Sequence, residues 1–254
     1  MEKIFLGKDT SEGIDGLNPN ENIHASLIGL AVDYLTRVML GESPYIVFFI
    51  SSLGSARVKE SEKAIQFISN VKGLDKESVI SAVKLSGYDV AYRFSVLGYV
   101  PVDTINPDDA TIENIITMVN RSIKFFEKYG PCVLMGFDLK GGYTEIINSG
   151  DGDYLTSDTL WDFKVSKYRV TTVQTLQVLI YWRMGLHSIH PEFKNVKYLG
   201  IYNPRTNIAS RISVDHIPSE TIKKVEFDLI GYRPKEYKIK LKKELLERIK
   251  EANK

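Results

Sequence analysis

One cysteine, Cys132, stands among the 254 residues. That excludes an intrachain disulfide, a cysteine zinc finger and a four-cysteine iron–sulfur cluster. Excess charge of either sign is missing too: 33 Lys and Arg face 32 Asp and Glu. The chain as a whole is no polycation, so affinity for a polyanion has to come from local patches. No stretch approaches the roughly eighteen apolar residues of a membrane span, so no membrane partner is expected. The opening MEKIFLGKDTSEG lacks the basic start and long apolar stretch of a signal peptide, and a cytoplasmic protein is expected. Internal repeats and low-complexity tracts are also lacking. What remains is ordinary globular material: 43% hydrophobic and 26% charged residues, with 14 Tyr and 11 Phe to build a core.

Helical spacing of Ile23, Leu27, Ala31, Tyr34, Leu35 and Val38 predicts a helix over about 20–40, closed by Gly41. Further helices are expected over 58–71, from Asp75 to Gly87, and from Asp108 or Asp109 to Gly130-Pro131. Residues 88–106 are mixed and aromatic and fit no element. After Pro131 the pattern changes to strands at 132–139, 142–148, 153–156 and 159–166, with a turn at Ser157-Asp158. A helix over 172–184 ends at Gly185. Strands at 196–202 and 208–214 flank an Asn203-Pro204-Arg205-Thr206 turn, and a basic amphipathic helix with Leu241, Leu245, Leu246 and Ile249 on one face is expected near the C-terminus. This is an α/β order with a mixed central sheet flanked by helices, unlike a doubly wound one. Three regions are expected within one integrated domain: a helical part over 1–130, a sheet-and-helix core over 131–216, and a basic segment over 217–254.

The segment 159–166 is the most informative. Period-two alternation puts Trp161, Phe163 and Val165 on one face and Asp162, Lys164 and Ser166 on the other. If Ser157-Asp158 is a hairpin turn, Asp153 approaches Asp162. Two converging carboxylates repel unless a cation sits between them, and oxygen ligands of this kind suit Mg²⁺ or Mn²⁺. A lysine beside such a cation can orient water or stabilise charge on a phosphoryl oxygen. The triplet by itself is cheap: Asp138-Leu139-Lys140 and Glu236-Tyr237-Lys238 also occur, and the ordinary alternative is a solvated strand face. Asp138 with Lys140 stays a competitor. On the following helix, Gln177 and Tyr181 are four residues apart and share a face, whereas Thr171 and Gln174 fit a capping box.

Taken in order, Asp153, Asp162-x-Lys164 and Gln177-x-x-x-Tyr181 resemble the PD-(D/E)XK nuclease superfamily, and within it the RecB-like exonuclease branch. The resemblance covers about residues 20–45 and 140–215. It implies a restriction-endonuclease-like core and a metal-dependent exodeoxyribonuclease acting on DNA, with RNA not excluded and a protein partner possible. It implies that Asp153 and Asp162 are metal ligands, joined by the Phe163 backbone carbonyl. Lys164 would act on the attacking water or the scissile phosphate, and Gln177 and Tyr181 would touch substrate or steady the lysine and the metal shell. Family members often carry Gly-x-x-x-His on an early helix. The matching stretch here, Gly29-Leu30-Ala31-Val32-Asp33, sets Asp33 at the histidine's place, where an oxygen ligand serves Mg²⁺ equally well; the alternative is a surface carboxylate. His24 is a second candidate ligand. The cysteines that hold an iron–sulfur cluster in several relatives are absent, so that cofactor is not expected. No Gly-x-x-x-x-Gly-Lys-[Ser/Thr] run exists to power a helicase motor. A binding module that keeps the fold without catalysis is the rival reading.

Other candidates are thinner. His187 and His190 lack two further zinc ligands. Asp151-Gly152-Asp153 starts like a calcium loop, but Leu155 occupies the next ligand position. Cys132 reads as core. Arg205 and the basic tail read as solvated charge, or as phosphate contacts.

Overall fold

The computed structural model describes residues 16–234 and Arg248 in full and residues 2–5 by their backbone. Its first helix, α1 (Ala25–Met39), is capped by His24, whose Nδ1 accepts from the Ser26 N–H. Short helices α2 (Pro44–Val47) and α3 (Phe49–Arg57) precede α4 (Ser61–Asn70) and α5 (Lys76–Arg93). Asp75 caps α5 by accepting from the Glu77 and Ser78 N–H groups, and Asp108 caps α6 (Asp109–Tyr129) through Thr111. Aliphatic side chains of α1, α5 and α6, with Ile28, Leu35, Val83, Leu85, Ile115 and Met118 fully buried, form a helical core.

The C-terminal half supplies five strands: β2 (Cys132–Asp138), β3 (Asp151–Thr156), β4 (Thr159–Phe163), β5 (Tyr198–Asn203) and β6 (Ile208–Ser213). Residues Glu2–Phe5 form β1, which adds to the β6 edge and makes the order β1-β6-β5-β4-β3-β2. Among the described residues only β4 and β5 run parallel. A parallel pair needs a crossover, which α7 (Thr172–Gly185) provides. The fold is thus α/β, with a mixed sheet and a helical N-terminal half, as the sequence leads one to expect. Among the described residues no helix is long and apolar enough to cross a membrane.

Two cores cover the sheet. On one face, Leu155, Leu160 and Leu199 meet Val178, Leu179 and Trp182 of α7. Alternate residues point the other way, where Trp161, Phe163, Tyr154 and Tyr202 enclose Phe125 and Phe126 of α6. Phe125 stacks on Tyr202 with centroids 4.2 Å apart and meets Trp161 edge-on at 4.8 Å; such pairs add about 0.5–1.5 kcal/mol each beyond burial. Glycine is required opposite the indole. Trp161 faces Gly200 across the parallel pair, and a Cβ on Gly200 would lie 2.3 Å from the ring.

The structure corrects several expectations. Residues 142–148 form no strand. Gly141 takes a positive φ of 96°, and Gly142 lies so close to the α7 backbone that a Cβ would stand 2.2 Å from the Met184 carbonyl oxygen; the chain turns there. The expected 58–71 helix starts at Ser61, because Lys59 has a φ of 61°. A helix expected to stop at Gly87 runs on to Arg93, with Gly87 packed against Ile105. Strand β4 ends at Phe163, three residues early. Arg205 is buried, not solvated, and pairs with equally buried Glu21 at 2.9 Å. After β6, α8 (Ser219–Lys224) leads into a π-helical turn, Val225–Ile230, whose ends pack under α7. The C-terminal helix expected around Leu241, and most of the basic tail, lie outside the described residues.

Candidate functional site

Strand pairing creates the site. Tyr154 opposes Trp161 and Leu155 opposes Leu160, so the same register sets Asp153 across from Asp162. The Asp153 Oδ2 accepts from the Phe163 N–H at 2.7 Å, which fixes the carboxylate against the end of β4. Lys164 follows. Its N–H donates to the Tyr202 carbonyl at 2.9 Å, extending the parallel pairing, and its Nζ donates to Asp162 Oδ1 at 2.9 Å. The other oxygen, Asp162 Oδ2, is buried and has no hydrogen-bond partner. Such an orphan costs about 1–3 kcal/mol, more if charged, so it calls for a counterpart.

Helix α1 brings Asp33 to this group. The Tyr154 hydroxyl donates to Asp33 Oδ1 at 2.7 Å, and Asp33 and Asp153 sense each other's charge. Burial, then Asp153, pushes the Asp33 carboxyl up to about 6, against the pull of Arg37. Burial, then Asp162, pushes Asp153 up to about 7, against Lys164 and the Phe163 N–H. Burial also raises Asp162, opposed by Lys164. Burial pulls the Lys164 ammonium down, but Asp162 and Asp153 outweigh it and the net shift is upward. Carboxyls that are hard to ionise together are what a divalent cation relieves.

On the covering helix, α7, the capping box forms as read: the Thr171 N–H donates to Gln174 Oε1 and the Gln174 N–H to Thr171 Oγ1. One turn on, Gln177 Nε2 donates to the Tyr181 hydroxyl at 3.2 Å. Tyr181 is raised by burial first and then by the charges of Asp153 and Asp162, so it belongs to the same neighbourhood. Asp33, Asp153, Asp162, Lys164, Gln177 and Tyr181 are thereby brought to one place, with Phe163 among them through its N–H.

The donors fit a hard cation in kind: carboxylate oxygens, one of them unpartnered. They do not converge on a preformed cage. Among the described residues, no three His, Cys, Asp or Glu side chains form a group that could hold a metal ion. Charge coupling reaches further than coordination, and three site carboxylates are each turned onto a protein donor: Tyr154, the Phe163 N–H or Lys164. A cation would compete with those donors.

The competing residues engage other partners. Asp138 lies at the end of β2 across from Asp151, and His190 Nε2 lies 3.0 Å from the Asp138 carbonyl oxygen. His187 packs on the Tyr232 ring. His24 is spent on capping α1. Partial burial pushes the Cys132 thiol up to about 12, which disfavours the thiolate. An open recess of about 420 Å³ lined by Phe67, Ile80 and Lys84 lies on the α4–α5 surface and includes none of the site residues.

Sequence reasoning missed Arg37, Glu42 and Tyr154. Arg37 Nε pairs with Glu42 Oε2 at 2.7 Å, and its guanidinium lies over β2, where a Cβ on Gly136 would stand 2.4 Å from Cζ. Arg37 follows Asp33 by one helical turn, a spacing that could have found it. No signal marked the Tyr154 hydroxyl. Comparison with family models, with curated proteins and with solved structures gives no match.

Proposed function

We propose that the protein is a divalent-metal-dependent nuclease that hydrolyses DNA phosphodiester bonds. One observation carries the reading: Asp33, Asp153 and Asp162 are crowded, half-buried or buried, and mutually destabilised beside the Lys164 ammonium, with one buried carboxylate oxygen left unpartnered. The sheet order, with its β4–β5 parallel pair bridged by α7, supports a restriction-endonuclease-like core. The lone Cys132 suits a reducing cytoplasm.

In this reading Asp153, Asp162, Asp33 and the Phe163 carbonyl would hold Mg²⁺ or Mn²⁺. A bound divalent cation supplies a water of lowered pKa and offsets charge on a phosphoryl oxygen. Lys164, whose Nζ lies 2.9 Å from Asp162 Oδ1, would donate to a scissile phosphate oxygen or orient the attacking water. Gln177 and Tyr181 wall the site on the α7 side and hold Lys164 in place.

The rival is a binding module that keeps the fold without catalysis. It is favoured by the engagement of three site carboxylates with protein donors. Mn²⁺ titration by calorimetry, followed by a cleavage assay on labelled DNA, separates the two. The nuclease reading expects saturable Mn²⁺ binding and metal-dependent cleavage, both lost in Asp162→Asn. Wild-type protein that binds no Mn²⁺ and leaves DNA intact, yet retains DNA in a salt-dependent manner, supports the binding module.

A further inference from the structure

The chain between β4 and α7 carries an exposed aromatic flanked by two cations, Lys167-Tyr168-Arg169. Tyr168 is 83% exposed, far more than a tyrosine with a packing role. The segment is nonetheless held. Asn203 at the end of β5 accepts from the Ser166 N–H at 3.4 Å and donates to the Ser166 carbonyl at 2.7 Å, and Ser166 Oγ accepts from the Tyr168 N–H at 3.0 Å. From Phe163 to Trp182 the sequence contains Lys164, Lys167 and Arg169 and no Asp or Glu. Neither Lys167 nor Arg169 makes an ion pair among the described residues. A second exposed aromatic, Phe94, 83% exposed, follows Arg93, whose Nη1 reaches Asp151 Oδ2 at 3.5 Å at the start of β3. Because β3 and β4 are antiparallel, the start of β3 and the end of β4 lie at the same end of the sheet, the end that carries Asp153 and Asp162.

We propose that Tyr168 is a base-stacking residue that makes single-stranded DNA the substrate of this site, with Lys167 and Arg169 on the flanking phosphates. An exposed ring on a tethered loop gains by stacking on an unpaired base, whereas bases inside a duplex already stack on each other. The two cations meet the phosphates on either side of that base, and Lys164, four residues back, marks the phosphate to be cut. Phe94, next to the Arg93 that reaches the start of β3, offers a second exposed ring. Near-neutral net charge fits the same picture, since gripping a duplex by its phosphates alone takes a broader basic surface. The inference rests on the nuclease reading for the position of the scissile phosphate.

Binding and cleavage are therefore measured separately. Anisotropy of a fluorescein-labelled oligothymidylate, of a duplex of the same length and of an oligouridylate is followed on full-length protein, with Ca²⁺ replacing Mn²⁺ to hold back cleavage. Wild type should bind the single-stranded DNA more tightly than the duplex. Tyr168→Ala should weaken that binding by about 5- to 150-fold. Tyr168→Phe, which keeps the ring, should retain it within about twofold. Loss of the salt slope by about one unit in Lys167→Ala supports the phosphate contact. Equal binding by wild type and Tyr168→Ala, tighter binding of the duplex or of RNA, or no saturable binding overturns the inference. Tyr168-dependent binding without Mn²⁺-dependent cleavage refutes the nuclease reading instead, while duplex cleavage indifferent to Tyr168 refutes the inference alone.

Discussion

Metal-free protein should be more stable at pH 5 than at pH 8. Ordinary aspartates give the opposite trend, and the reversal comes from the site. Burial and then the neighbouring carboxylates hold Asp153 at about 7 and Asp33 at about 6, against 3.8 in an unfolded chain. Between those values the native state binds more protons than the unfolded state, so stability falls as pH rises through about 4–7 and stays low above that. Each unit is worth about 1.4 kcal/mol, which makes Asp153 alone worth on the order of 4 kcal/mol at full shift. Asp33 titrates together with it, so the pair yields less than the sum. At roughly 2–4 °C per kcal/mol for a chain of this size, Tm should drop by roughly 5–15 °C from pH 5 to pH 8. Aspartates with lowered pKa at helix caps and surface pairs, Asp75, Asp103 and Asp108, pull the other way only below about pH 4. The assay is differential scanning fluorimetry across pH in EDTA and in Mn²⁺. Mn²⁺ should restore Tm at pH 8 and do little at pH 5, and Asp153→Asn should flatten both responses. An EDTA Tm that is level or rises from pH 5 to pH 8 refutes the reasoning.

Three smaller predictions concern the scaffold. Arg205→Ala strands Glu21 beside Asn114 in a buried position, and should cost about 3–5 kcal/mol in urea denaturation while leaving Mn²⁺ affinity unchanged. Gly200→Ala drives a methyl into the Trp161 indole, and should lower stability by about 1–3 kcal/mol and blue- or red-shift the native tryptophan emission; an unchanged spectrum and midpoint would contradict the packing described. Half-buried Cys132 should react with Ellman's reagent at pH 8 more slowly in the native protein than in urea, and equal rates would contradict its raised thiol pKa.

Local rules in the sequence carried much of the fold. An aspartate cap for α6 at Asp108 or Asp109, the Thr171–Gln174 capping box and the β3–β4 register were all legible, and the last of these placed Asp153 opposite Asp162. The failures involved long-range packing. Helix α3 has a weak apolar stripe and an interior glycine, because Gly54 lies against α5 so closely that a Cβ would stand 2.0 Å from the Tyr88 carbonyl oxygen. Nothing local announces that contact. Residues 142–148 read as a strand, yet Thr144 spends its hydroxyl on the Ile146 and Ile147 N–H groups and the Ile230 carbonyl, which closes a turn. Arg205 looked solvated because its partner, Glu21, is remote in sequence. At the site, side-chain identity and spacing were readable, but the Tyr154 hydrogen bond to Asp33 depends on how α1 crosses the sheet.

The central claim is best tested by nucleotide release from end-labelled linear and circular single-stranded DNA in Mn²⁺, comparing wild type with Lys164→Ala, each first shown to bind Mn²⁺. The account expects metal-dependent release by wild type and a loss of about 10²–10³-fold in the variant, with metal binding retained in both. Intact DNA with wild type, or equal release by the two proteins, would contradict it.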